Sequence, residues 1–415
     1  MSSFQEYLDT WNTNNIVKAI HSVNIMEKKI IYMDHAATTY TAKEVVNAML
    51  PYFSDEFGNP SSVYSIGQSN KKAIDNARTQ VAKAINAKPE EIYFTSGGTE
   101  SDNWALKGVA FANERKGKHI ITTSIEHHAI LHSCQWLASK GFEITYLPVD
   151  KYGMISPESV EKAIRPDTIL ISVMYANNEV GTIEPIAEIG KIAKAHGIYF
   201  HTDAVQAVGH IPIDVVADNI DLLSLSGHKF YGPKGTGALY IKKGTRIQNF
   251  IHGGAQESKR RAGTENVPGI VGLGVAIERA IAKMPEETQR LIQLRDKLTR
   301  ELLKIPATHL NGHPTKRLPN NTNIIFEYIE GESILLFLNM KGICASTGSA
   351  CNSASLEPSH VLTAMGVSHE IAHGSIRLTV GERTNEEDAK FVITSLTETV
   401  KKLRAMSPLT PKELR

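Results

Sequence analysis

The chain has 415 residues, of which 41% are hydrophobic and 21% charged. That is ordinary soluble usage, so a large core is available and global disorder is excluded. Lys+Arg number 45 against 44 Asp+Glu, for a formal net charge of +1. This gives no whole-protein field for nucleic acid, and no apolar run approaches the roughly 18 residues of a membrane span. Three cysteines, an odd number, do not make a disulfide framework. They fit a reducing compartment, read here as the cytoplasm.

Residues 1–26 lack an apolar signal-peptide core, and Glu6 and Asp9 precede the first Lys, unlike an acid-poor transit peptide. The extension is read either as sequence upstream of a start at Met26 or as a docked helix. A strand is predicted at 30–33. Apolar residues at helical spacing predict a helix over 69–85, and Glu91–Thr95 is a strand ending in Ser96-Gly97-Gly98-Thr99. Helix 100–115, strand 119–123 and helix 127–140 follow, then strands near 142–148, 168–174, 199–203, 222–224 and 237–241. Strands alternating with helical stretches imply crossover units and a mainly parallel α/β sheet with helices on both faces. Past about 285 the pattern changes. A helix over 286–304, strand 323–328, helix 333–339, a Gly/Ser-rich stretch at 346–355, strand 376–380 and helix 386–403 read as a smaller α+β unit. The expected division is an extension, 1–26, a large domain, 44–283, a small domain of 27–43 plus 284–407, and a flexible tail, 408–415.

Three motifs carry chemistry. Ser226-Gly227-His228-Lys229 follows an apolar run. A lysine in a Gly-bracketed turn behind a strand suits a Schiff base if its amine is partly desolvated, and equally an ordinary surface turn. Asp203 ends the strand at 199–203, where open α/β sheets place ligands. A buried carboxylate there needs a cation, which the pyridinium of pyridoxal phosphate would supply, though a strand-end Asp is also a common helix cap. Ser96-Gly97-Gly98-Thr99 is a strand–turn–helix whose backbone N–H groups could cradle a phosphate or simply cap a turn. It is not a Walker loop.

Together, in this order, the three resemble the class V aminotransferase branch of fold type I pyridoxal-phosphate enzymes. Longer strings narrow the likeness. Residues 34–39 (DHAATT), 58–62 (GNPSS), 95–100, 177–179 (NNE), 201–209, 222–237, 261–266 (RAGTEN) and 348–351 (GSAC) are similar to the NifS/IscS cysteine desulfurases over residues 30–405. The resemblance implies a seven-stranded-type sheet and roles residue by residue. Lys229 bonds the cofactor and moves protons, Asp203 faces the ring nitrogen, and Gln206 the ring hydroxyl. His127 stacks on the ring, while Gly98, Thr99, Ser226 and His228 hold the phosphate. Thr264 reaches the phosphate of a second copy, implying a homodimer. Arg377 clamps the substrate carboxylate with help from Asn178.

Cys351, set among small polar residues that offer little packing, is the implied carrier of sulfur taken from L-cysteine. The products would be L-alanine and a persulfide for an acceptor such as an iron–sulfur scaffold protein. Cys134 follows Ile130 and Leu131 by one helical turn and is read as core; Cys344 is read as packed in a strand. Rival readings remain. One is a selenocysteine lyase or another class V enzyme that does not depend on Cys351, and another is a sulfur carrier that keeps the fold without cofactor. A third is a zinc peptidase through His369-Glu370-Ile371-Ala372-His373, although Gly374 follows at once and the motif needs a sustained helix. His128 and His132 share the i, i+4 spacing without a clear third ligand.

Overall fold

The computed structural model describes residues 29–347 and 358–415. In chain order its strands are β1 (Ile31–Tyr32), β2 (Ile92–Thr95), β3 (His119–Thr123), β4 (Glu143–Leu147), β5 (Thr168–Ser172), β6 (Tyr199–Asp203), β7 (Leu222–Ser226), β8 (Gly237–Ile241), β9 (Thr308–Asn311), β10 (Asn321–Phe326), β11 (Ile343–Cys344) and β12 (Ser375–Thr379). Among the described residues the main sheet has seven strands in the order β2-β8-β7-β6-β5-β3-β4. β8 runs antiparallel to both neighbours, and the pairs from β7 to β4 are parallel. A three-stranded antiparallel sheet, β12-β10-β9, and the parallel pair β1-β11 complete the set.

The side-chain alternation of the strands builds two cores from one sheet. Ile120, Leu170, Leu222 and Leu239 face Trp104, Ile130 and Leu137 on one side. Their next neighbours Ile121, Ile171, Leu223 and Tyr240 face Val81, Ile189 and Ile277 on the other. Period-two alternation sends successive residues to opposite faces, and helices cover both, so the strands read as continuous apolar runs. A separate core gathers Ile324 and Ile376 from the smaller sheet with Ile334, Leu338, Val392, Leu396 and Val400 from helices.

One helix, Val267–Leu302, serves both regions. Its first half (Ile270, Leu273, Ile277) packs in the sheet core, and its second (Leu291, Leu294, Leu298, Leu302) in the separate one. The sequence reading places a helix only over its second half, from 286; the first half carries Gly269, Gly272 and Gly274, and Pro285 lies inside the helix. Those glycines are contact points. A Cβ on Gly274 would lie 2.8 Å from Ala77 Cα, and one on Gly272 would lie 2.7 Å from Met49 Sδ. Several helices also emerge that the sequence reading does not name, among them Lys43–Met49, Pro157–Lys162 and Ile186–Ala195. After Met406 the chain turns back. Ser407 Oγ donates to the Tyr328 carbonyl at 2.8 Å, and Thr410 is buried.

Candidate active site

The carboxyl ends of the parallel strands converge on a cavity of about 440 Å³, the place where an open α/β sheet leaves a crevice. Gly98, Thr99, His127, Asn178, Asp203, Gln206, Ser226, His228, Lys229 and Arg377 all line it. Residues far apart in the chain therefore meet there, Gly98 from one end and Arg377 from the other. Thr264 is exposed and does not line this cavity. Cys351 and the rest of the Gly/Ser-rich stretch from 348 lie outside the described residues, as does the 1–26 extension.

At one end, Gly97 turns the chain with φ +148° and the helix Gly98–Asn113 begins. Sixteen residues of helix point an unpaired N–H cluster and a positive dipole end toward that wall. The helix start is pressed against the loop after β6: a Cβ at Gly98 would lie 2.6 Å from Val205 Cγ2. Ser226 and His228 stand opposite. Burial, then the charges of Lys229 and Lys234, push the His228 imidazole down to about 4, so it meets an anion as a neutral donor. A second opening of about 430 Å³ shares Gly98, Thr99, Ser226 and His228 and adds Lys234, a cation to which the sequence assigned no role.

Deeper in, Asp203 is buried and accepts a hydrogen bond from the Val205 N–H at 2.9 Å. Burial raises its carboxyl above the usual range, while the Val205 N–H and the Lys229 ammonium oppose the rise. A second acid, Asp102, lines the same cavity, with its Oδ1 buried and lacking a hydrogen-bond partner among the described residues. Burial, and then the neighbouring Asp203, push its carboxyl well above the usual range. His201 sits 3.7 Å from that Oδ1 but is pushed down to about 3 by burial, so the contact is not an ion pair. Its ring nitrogens meet the Ser172 and Ser224 hydroxyls instead, at 2.9 and 3.0 Å. Asp102 carries no motif of its own in the sequence: it is one acid inside the helix Gly98–Asn113.

Lys229 closes a short 3-10 turn, Gly227–Lys229. Its Nζ donates to the carbonyls of Ala36 and Ala37 at 2.5 and 2.8 Å. These carbonyls come from the DHAATT string, and because they are backbone atoms no residue type announced them. Gln206 Nε2 donates to the same Ala36 carbonyl at 3.0 Å. Two residues on, Tyr231 takes φ +66°. Its N–H donates to Thr39 Oγ1, and its hydroxyl accepts from the Glu382 N–H. His127 caps the helix His128–Ala138, and its Nδ1 accepts from the Ala129 N–H at 3.1 Å. The proton therefore sits on Nε2. Burial and the Lys229 charge hold this imidazole down to about 4.

Arg377, in the middle of β12, is 3% exposed. Its Nη1 donates to the Asn178 carbonyl at 2.9 Å and its Nη2 to Asp34 Oδ1 at 2.8 Å. Nε is buried without a protein partner among the described residues. A guanidinium has five N–H groups in a planar fork, so three remain to meet a carboxylate. Asp34, which carried no assigned role in the sequence, sets the plane of that fork.

The competing motifs find no comparable setting. The helix at His369 ends at Ala372, His369 and Glu370 are exposed, and His373 lies 3.8 Å from Glu330. His128 and His132 stack at 5.0 Å, with His360 4.8 Å from His128. No group of three His, Cys, Asp or Glu able to hold a metal is present among the described residues. Cys134 is fully buried in the core, its thiol pushed up to about 12 by burial. Cys344 is only partly buried.

A family model, Aminotransferase class-V, matches residues 31–392. The chain is 68% identical over 389 residues to a protein named cysteine desulfurase IscS from Methanosarcina thermophila, covering 94% of this chain and 96% of that one. The chain belongs to the class V aminotransferase family, in its NifS/IscS cysteine desulfurase branch. Among solved structures, a NifS-like protein superposes with a TM-score of 0.86 at 39% identity, covering 90% of this chain and all of the other. A structure described as SspA in complex with cysteine does so with a TM-score of 0.77 at 41% identity, covering 84% and 98%. Members of this branch use pyridoxal phosphate, and the cavity suits it. The glycine cradle at Gly98 fits the phosphate, and the buried acid at Asp203 fits a cationic ring nitrogen. No described helix is long and apolar enough to cross a membrane.

Proposed function

We propose that this chain is a pyridoxal-phosphate-dependent cysteine desulfurase that passes the sulfur of L-cysteine to its own Cys351. The observation that carries the reading is the convergence of Lys229, Asp203, His127 and Arg377 on one cavity whose far wall is the Gly98 cradle. When bound, the cofactor supplies an electron-withdrawing ring that stores the electron pair released at the substrate α-carbon.

The protein's part follows from its own groups. Gly98, Thr99, Ser226 and His228 would hold the phosphate, and Gln206 would meet the ring hydroxyl. The Asp203 carboxylate would pair with the ring nitrogen and favour its protonated form. Neutral His127, with its proton on Nε2, would lie against the ring. Arg377 grips the substrate carboxylate, assisted by Asn178, with an Arg fork that suits two oxygens better than a lysine. Lys229 Nζ takes the α-carbon proton and returns it later. The Cys351 thiolate attacks the substrate sulfur. A sulfur–sulfur bond forms as the carbon–sulfur bond breaks, and that bond's electron pair stays with the carbon skeleton, which is protonated and leaves as L-alanine. No outside oxidant is required.

The same reading extends to partners and organisation. The persulfide would pass to an acceptor such as an iron–sulfur scaffold protein, in a reducing cytoplasm. A homodimer is supported by a run of exposed apolar side chains, Leu50, Phe53, Phe57, Val63 and Tyr64. Thr264 would then complete the partner's phosphate site. The sheet cores and the separate core around β10 and β12 support a division into large and small domains. The test is sulfide release from cysteine by the cofactor-loaded protein. Cys351→Ser should keep the cofactor and lose the activity, and full activity in that variant would favour a lyase that needs no cysteine.

A further inference from the structure

The turn that presents Asn178 to the cavity is held from several sides. Asn177 Oδ1 accepts from the N–H groups of Glu179 and Val180 at 2.9 and 3.0 Å. The Glu179 carbonyl accepts from Asn321 and Asn323 at 3.3 and 3.1 Å. Arg317 Nη2 donates to the Val180 carbonyl at 3.0 Å. The backbone of the turn is thus fixed without the Glu179 side chain.

That side chain reaches elsewhere. Glu179 is 4% exposed, and its Oε2 accepts from Ser359 Oγ at 2.5 Å. Ser359 begins the helix His360–Ala364, its Oγ also accepting from the Leu362 N–H at 3.2 Å. The next residue, His360, places Nε2 3.0 Å from the carbonyl of Glu126, which immediately precedes His127. On the other side of Cys351 in sequence, the Ser346 N–H donates to the Arg377 carbonyl at 3.3 Å, and the Arg377 N–H donates to the Ser346 carbonyl at 2.6 Å. The described residues on either side of 348–357 are therefore both bonded to the groups that face the substrate: Arg377 at one end, and the neighbours of Asn178 and His127 at the other.

We infer that Glu179 is a positioning residue for sulfur transfer. Its buried carboxylate registers Ser359, where the Cys351-bearing stretch rejoins the described fold, against the turn that carries Asn178. A carboxylate bonded to a hydroxyl in a site closed to water is among the stronger hydrogen bonds, and removing one partner leaves the other buried and unsatisfied. Because the turn keeps its other bonds, the loss should fall on the step that needs Cys351 placed, and not on substrate binding. The inference rests on the reading of Cys351 as sulfur acceptor.

The experiment uses the cofactor-loaded full chain. Two quantities are read: the affinity for L-alanine, from the visible spectrum, and the rate of the first persulfide formed with L-cysteine. Glu179→Ala and Ser359→Ala should slow persulfide formation about tenfold or more, as expected for a lost charge-assisted bond, while alanine affinity stays within about twofold. Glu179→Gln keeps an acceptor for Ser359 and should recover most of the rate. An unaltered cofactor band in each variant shows that it is folded. Weakened alanine binding with no separate loss of persulfide rate would overturn the inference, as would wild-type behaviour of both alanine variants. Cys351→Ala in the same assay tests the underlying reading: if it still acquires sulfur at the wild-type rate, that reading fails whatever Glu179→Ala does.

Discussion

Replacing Gly98 by Ala puts one methyl group where the structure has no room for it. The new Cβ would lie 2.6 Å from Val205 Cγ2, with Val205 Cβ and Ser226 Cβ at 3.8 and 3.9 Å. Carbon atoms pack at roughly 3.5–4.0 Å, so the overlap is about 1 Å. Val205 is β-branched with little rotamer freedom, and its N–H is bonded to Asp203. The strain must therefore move either the helix start or Asp203, the residue proposed to face the ring nitrogen. Overpacking of this kind costs about 1–3 kcal/mol. Alanine in a helix returns roughly 0.5–1 kcal/mol relative to glycine, so the cofactor-free protein should lose about 0–2.5 kcal/mol of stability. Phosphate and ring-nitrogen contacts should bear the misfit, weakening cofactor affinity by roughly tenfold to a hundredfold. Titration of cofactor-free Gly98→Ala with pyridoxal phosphate, read at the visible band, measures this, with a thermal melt as the fold control. Wild-type affinity would refute the assignment of Gly98 to the phosphate cradle.

Other expectations follow from the same geometry. Arg377→Lys loses the fork and strands Asp34 and the Asn178 carbonyl, so KM for cysteine should rise roughly tenfold or more; an unchanged KM would reassign the residue. Lys229→Ala should abolish the absorbance of the lysine-bound cofactor, and the same band persisting would show that another group bonds it. The buried His201 gives a pH signature. Its folded value is about 3 against roughly 6.5 in an unfolded chain, so the unfolded state alone takes up a proton as pH falls below about 6.5. Stability from this group is thus present above about 6.5 and lost toward 3. His201→Gln lacks the effect, so its stability deficit relative to wild type should be about 2 kcal/mol smaller at pH 5 than at pH 8. Comparing the two proteins cancels the other titrating groups. A deficit that does not change with pH, measured by denaturant unfolding, would contradict a neutral His201.

Much of the site was legible because its residues sit in strings where chemistry and backbone agree. Asp203 and Ser226 end parallel strands, and Lys229 follows in a tight turn, so a sheet of this kind must bring them together. Groups that act through position alone were not legible. The Ala36 and Ala37 carbonyls that hold Lys229 have no side-chain signature, and Asp34 looked like any acid near a strand. Glu179 joined a recognisable string without a visible partner, since Ser359 is 180 residues away. In the fold, the long helix was legible only from 286, and its first half carries Gly272 and Gly274, residues that weaken a helix. Only the packing against Met49 and Ala77 shows why those glycines are there.

The central claim is that Cys351 takes the sulfur. It is tested most directly by exposing the cofactor-loaded protein briefly to L-cysteine, quenching with an alkylating agent and locating added sulfur by peptide mass spectrometry. One extra sulfur atom is expected on the peptide carrying Cys351 and none on those carrying Cys134 or Cys344. Alanine formed with no added sulfur at Cys351, or sulfur found at Cys344 instead, would contradict it.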